Sequence, residues 1–284
     1  MTLPKLMFLL FLLILLGMTG IYIFIRRKVT NHIPSSFPSK EKRKSLDQKK
    51  RTVVCFGDSN THGNVSYDWV SDLSVELPSF QVFNAGLNSD LSFSLLKRLE
   101  DVILCKPDFI TIMIGTNDIN ASYSDKSLKR YVSLGKILST ESPSIISFEK
   151  NIKEIAEKFQ QETNAKIAFL TLPLMGEDLN SQINKNADNY SLSIEKVANQ
   201  TKISCLQIRQ GQKEYLVKNP SLTSYRFEQY FILLNKSVIF HYIFGLSWDK
   251  ISKMHKTQLS PDFLHQNSIA GKMIKDQVLN WIKK

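Results

Sequence analysis

A chain of 284 residues with 43% apolar and 10% aromatic side chains can bury a substantial core, which excludes a disordered protein. The net charge of +11 invites a nucleic-acid reading, but residues 26–51 alone hold ten Lys and Arg against Glu41 and Asp47, and Lys5 adds one more charge. Residues 52–284 are then close to neutral, so no nucleic-acid partner is expected.

The first element is Leu6 to Ile25, twenty residues without a charge. As a helix they cross a hydrocarbon core about 30 Å thick. No convincing small-residue cleavage site follows, nor a cysteine that would carry a lipoprotein anchor, so residues 1–28 read as an uncleaved single-pass membrane anchor. Arg26, Arg27 and Lys28 flank it on the carboxyl side. The positive-inside tendency alone would keep the following domain in the cytoplasm; a basic stem lying against anionic headgroups is the other reading. Residues 29–51, rich in Ser, Pro and Lys, read as a basic linker.

From residue 52 strands and helices alternate, and residues 52–284 are expected to form one domain. Thr52–Phe56 is the first predicted strand and Tyr67–Leu77 a short amphipathic helix. Gln81–Asn84 is a second strand ending at Ala85-Gly86, and Leu91–Leu104 has a helical period closed off by Pro107. Phe109–Ile114 is a continuous apolar strand, of the kind buried on both faces of a parallel sheet. A helix is predicted over Phe148–Thr163, a strand over Lys166–Leu170, a long helix over Ser181–Gln200 and a last strand over Ile203–Ile208. Residues 212–258 break the rhythm with nine aromatic residues, from Tyr215 to Trp248, and read as inserted helices; Ser268–Trp281 closes the chain. The order argues for a parallel sheet covered by helices on both sides. Cys55, Cys105 and Cys205 sit in or beside apolar runs and read as buried hydrophobes, not a disulfide framework. No Cys/His spacing marks a zinc site.

In such a sheet the loops beyond the carboxyl ends of the strands gather at one edge. Three of them are Gly57-Asp58-Ser59, Asn84-Ala85-Gly86 and Gly115-Thr116-Asn117-Asp118. Ser59, at a sharp turn after the first strand, is a candidate nucleophile, although a serine there is more often a helix cap. Before the closing helix stands Ser260-Pro261-Asp262-Phe263-Leu264-His265. An imidazole takes a serine's proton and a carboxylate holds the imidazole's tautomer, so His265 and Asp262 are the matching candidates. A backbone N–H at Gly86 and the amide of Asn117 suit an oxyanion. Asp58 and Asp118 read as loop-bracing acceptors; His62, His241 and His255 read as structural or exposed.

These blocks resemble the GDSL, or SGNH, hydrolases, named for a Ser, Gly, Asn and His in four blocks. The resemblance covers about residues 52–284, without the anchor and stem. By motif, Ser59 matches the nucleophile and first oxyanion donor, Gly86 the glycine of the second block, and Asn117 the side-chain oxyanion donor. Asp262 and His265 match the Asp-x-x-His of the last. One departure is visible: the leucine usual after the serine is Asn60 here. The resemblance implies a three-layer α/β/α sandwich with a flavodoxin-like parallel sheet. It also implies a serine hydrolase that cleaves carboxylic esters, of lipase or esterase type, through a Ser-His-Asp triad and an acyl-enzyme. No metal or organic cofactor is expected. The alternatives are an O-acetyl esterase acting on cell-envelope carbohydrate and a non-catalytic membrane-anchored binding protein. The expected partners are a small-molecule or lipid ester and the membrane; acyl chain, alcohol and oligomeric state are not legible. Family habit implies an extracytoplasmic enzyme, against the charge flank, and the expectation follows the family.

Overall fold

The computed structural model describes residues 3–29, 33–43, 45–47 and 49–284. Five strands, β1 (Arg51–Gly57), β2 (Phe80–Gly86), β3 (Phe109–Met113), β4 (Lys166–Leu170) and β5 (Ser204–Leu206), form one parallel sheet in the order β2-β1-β3-β4-β5. That is the flavodoxin-like order, and the expected α/β/α sandwich is present.

Strand alternation explains the two helical layers, because successive side chains face opposite sides of a sheet. Val54, Phe56, Ile110 and Ile112 point to the layer that holds helices Ile145–Glu162 and Gln182–Thr201. Phe56 meets Phe159 there edge to face, with ring centroids 5.9 Å apart. Val53, Cys55, Phe109 and Met113 point the other way, to helices Trp69–Glu76 and Ser268–Lys283. Burying a large apolar side chain contributes about 1.5–3 kcal/mol, so these two clusters hold the sheet rigidly beneath its loops.

Three features differ from the sequence expectation. The single helix expected over Leu91–Leu104 is two, Ser92–Leu96 and Leu99–Ile103. Arg98 turns inward at the break, pairs with Asp90 at 2.7 Å and donates to the carbonyls of Ala85 and Gly57. Two unforeseen helices, Thr116–Tyr123 and Asp125–Ser133, follow β3. The stem is not uniformly loose: Phe37 and Arg43 are buried, and Arg43 donates to Pro38 O and Asp101. Residues 30–32, 44 and 48 of the expected linker lie outside the described residues.

Residues 212–258 hold the end of helix Ile208–Lys218, then a single turn at Phe227–Gln229, helix Tyr230–Tyr242 and helix Trp248–His255. At the other end of the chain, Leu3–Val29 is one helix of 27 residues, long and apolar enough to cross a membrane; a signal sequence passes the same test.

Candidate active site

β1 ends where two strands lie side by side with no side chains between them and the next turn. Gly57 and Gly86 are register partners. A Cβ on Gly57 would stand 2.4 Å from Met113 O, and one on Gly86 would stand 2.2 Å from His62 N. Glycine is required at both, because the short helix Ser59–His62 packs flat on the strand ends. Asp58 caps that helix by accepting from Asn60 N at 2.9 Å. Asn84 closes its other end, donating to the carbonyls of Thr61 (2.8 Å) and His62 (3.1 Å). Ser59 is thereby fixed at the sheet's carboxyl edge, 7% exposed.

The loop 258–265 comes from the far end of the chain. Glu177, after β4, accepts from the backbone N–H groups of Gln258, Leu259 and Ser260 at 2.6–3.2 Å. Ser260 Oγ accepts from Phe263 N at 2.7 Å. His255 Nδ1 lies 2.6 Å from Pro261 O. Asp262 is fully buried, and its Oδ1 accepts from Leu264 N (3.0 Å) and His265 N (2.8 Å). Its Oδ2 lies 2.7 Å from His265 Nδ1, and His265 Nε2 lies 3.0 Å from Ser59 Oγ. With Asp262 as acceptor the ring carries its proton on Nδ1, which leaves Nε2 to accept from the serine. Asn60, where the family's leucine is usual, spans the joint: its amide donates to Leu264 O at 3.1 Å.

Asn117 is the first-turn residue of helix Thr116–Tyr123. Its Nδ2 donates to Asp90 O at 2.9 Å and makes a long 3.4 Å contact with Asp58 Oδ2. The hydrogen toward Asp58 is the more weakly held of the two. Tyr131 donates to Asn117 Oδ1 at 2.7 Å, which fixes which end of the amide is which. Asn120 in turn donates to Tyr131 and to Tyr230. Gly86 reaches the same edge, but its N–H donates to Asn84 Oδ1 at 3.0 Å. The wall beside Ser59 comes instead from Asn88 and Ser89, and Ser89 holds a left-handed φ of 62°.

Burial dominates the electrostatics. It pushes Asp58 up to about 7 and Asp118 up to about 6, each against backbone N–H or hydroxyl donors that pull down. Asp118 accepts from Ser92 N and Ser92 Oγ, bracing the loop after β2. Burial also pushes His62 down to about 4 and Tyr131 well above its usual range, so Tyr131 stays a donor. His241 lies against Trp248, with centroids 3.9 Å apart. Among the described residues no group of three His, Cys, Asp or Glu side chains is arranged to hold a metal.

A cavity of about 450 Å³ opens over Ser59, Asn117 and His265. Its far wall is Tyr131, Tyr230, Phe231, Leu234 and Val238, with Tyr22, Ile25 and Val29 of the apolar helix. A larger cavity of about 700 Å³ lies beside Glu177 and Tyr225; of the loop 260–265 it touches Phe263 but neither Asp262 nor His265. Chemistry, not volume, marks the smaller one as the site.

The family model described as GDSL-like lipase/acylhydrolase matches residues 55–228, a span that stops before the 260–265 loop. No curated protein matches the chain. Among solved structures, the acetyl xylan esterase AlAXEase is similar at 20% identity and a TM-score of 0.57, covering 81% of this chain and 99% of that one. LAE5, an alpha/beta hydrolase enzyme from the metagenome of Lake Arreo, Spain, is 17% identical with a TM-score of 0.56, over 81% and 94%. Axe2, an acetylxylan esterase from Geobacillus stearothermophilus, is 17% identical with a TM-score of 0.55, over 84% and 97%. At these identities the likeness is one of fold. The family match extends over more than half of the chain, from the strand before Ser59 onward, so the chain belongs to the GDSL-like lipase/acylhydrolase family and is an ester-cleaving hydrolase.

Proposed function

We propose that Ser59 is the nucleophile, His265 its general base and Asp262 the carboxylate that orients the ring. The observation that carries this is the continuous line from Ser59 Oγ to His265 Nε2 at 3.0 Å and from His265 Nδ1 to Asp262 at 2.7 Å. Ser59 Oγ attacks the ester carbonyl as its proton passes to Nε2, and Asp262 steadies the imidazolium. The carbonyl oxygen becomes an oxyanion, held by the Ser59 N–H, the Asn117 hydrogen that gives up its long contact with Asp58, and the 88–89 loop. Gly86, the other expected donor, serves by its missing side chain instead, since its N–H is engaged with Asn84. Nε2 returns its proton to the departing alcohol, and water activated by His265 releases the acid and restores the serine.

Residues 52–284 are then the hydrolase domain, residues 1–28 its membrane anchor and residues 29–51 a partly packed stem. An apolar cavity wall favours an ester with a hydrocarbon acyl group. The second reading, an acetyl ester of a carbohydrate, draws support from the acetyl xylan esterases of similar fold. The extracytoplasmic placement of the domain rests on family habit alone. Labelling by a serine-directed fluorophosphonate is the test: the native chain should react at Ser59, and Ser59→Ala should neither react nor cleave any p-nitrophenyl ester. Full activity in that variant would refute the assignment. Rates across acetate to palmitate esters separate the two substrate readings.

A further inference from the structure

Resting on that reading of Ser59, we infer that the substrate is the acyl ester of a membrane-resident amphiphile, which enters the cavity sideways from the bilayer surface. The catalytic cavity is not walled by the globular domain alone. Tyr22, Ile25, Arg26 and Val29, the last two turns of helix Leu3–Val29, line it together with Ser59 and His265. This end of the helix is docked rather than dangling. Asn64 donates to Lys28 O and Asn88 donates to Val29 O, each at 3.0 Å, satisfying carbonyls that a helix end leaves without partners.

Depth follows from helix geometry. The uncharged run Leu6–Ile25, at about 1.5 Å per residue, fills a hydrocarbon core about 30 Å thick. Ile25 then sits where hydrocarbon ends and Arg26 where headgroups begin, with Tyr22 at the level aromatic belts favour. The cavity wall from Tyr22 to Val29 rises about 10 Å across that boundary. Acyl-ester carbonyls of bilayer lipids lie at this level, between acyl tail and headgroup. Across the cavity, helix Tyr230–Tyr242 contributes Phe231, Leu234 and Val238. Its outward side chain Ile232 is 54% exposed, and Phe244 just beyond it is 64% exposed. A bilayer surface covers such side chains; an aqueous substrate has no use for them.

The test uses the full chain in phosphatidylcholine vesicles, with a fluorogenic long-chain acyl ester placed either in the same vesicles or in separate ones. Water-soluble p-nitrophenyl acetate and fluorophosphonate labelling of Ser59 run in parallel. Sharing a bilayer should raise hydrolysis of the long-chain ester about tenfold or more, through the concentration that co-localisation confers. Ile232→Glu with Phe244→Glu should remove most of that advantage while labelling persists. Equal rates in shared and separate vesicles, or cleavage of the acetate alone, would overturn the inference while the esterase reading stands. Absence of both labelling and acetate cleavage would overturn the two together.

Discussion

The two walls of the catalytic cavity are built in opposite ways. One wall, the loop 258–265 with helix Ser59–His62, is cross-braced by buried polar contacts. Glu177 takes three backbone N–H groups, Asn60 bridges to Leu264, and His255 meets Pro261 O. The other wall, helix Tyr230–Tyr242 with the end of helix Leu3–Val29, is mainly apolar and leaves Phe231 and Ile239 substantially exposed. Directional bonds fix angles, as a proton relay needs; apolar contact is indifferent to direction and accepts chains of different length. On the proposed mechanism the chemistry belongs to the first wall and the choice of ester to the second.

Removing the amide proposed for the oxyanion, which lies between the two walls, should cost most. Asn117→Ala, which removes the amide at the developing oxyanion, should lower kcat by about 10²–10³-fold with the fold intact. Tyr131→Phe, which frees the amide to flip, should cost less, about tenfold, and an Asn117→Ala, Tyr131→Phe double variant should be no worse than Asn117→Ala alone. Steady-state kinetics on one soluble ester decides both, and additive losses would mean that Tyr131 acts elsewhere. Next comes Glu177→Ala, which strands three buried backbone N–H groups. An urea melt should register a loss of about 2–3 kcal/mol, and an unchanged midpoint would show the loop holds itself.

The acid-dependent behaviour of the two carboxyl groups buried beneath the site has a definite sign. Asp58 and Asp118 rise to about 7 and about 6 in the folded chain from an ordinary 3.8. The folded state therefore keeps protons that the unfolded state has lost between about pH 4 and 7. Their contribution is full below about pH 4 and disappears as pH rises through 6 and 7. Thermal melts of Asp58→Asn should show a flatter pH slope across this window than the native chain; an identical slope would rule Asp58 out as its source. The smallest effect belongs to the apolar wall: Leu234→Ala should raise KM for long-chain esters a few-fold, in line with lost apolar contact, and hardly move kcat on acetate. If kcat fell instead, the two walls would not be separable.

How far the sequence could be read follows the same division. Strands β1 and β3 were legible because uninterrupted apolar runs bounded by glycine and proline have few other meanings. The four blocks were legible because they stand on loops that a parallel sheet must gather. Helix Thr116–Tyr123 was hidden because it buries Asn117, Asp118 and Asn120 rather than an apolar stripe. The break at Arg98 was hidden because the apolar period runs through it, and only the carbonyls of Gly57 and Ala85 explain the turn. Asp90, Tyr131 and Glu177 gave no signal at all. Each acts through backbone or amide contacts made across 14 to 83 residues of chain. Asn84 offered one clue, an amide two residues before a glycine at a strand end.

The separation of Ser59 and His265 by 206 positions has a consequence for biosynthesis. A ribosome has made every strand of the sheet, and the apolar wall of the cavity, before it makes the proposed base and its carboxylate. Until that last loop is threaded beside Asn60, the newborn protein carries an ordinary alcohol at its proposed nucleophile. On the proposed triad, the hydrolase is thus inert until its synthesis is nearly complete.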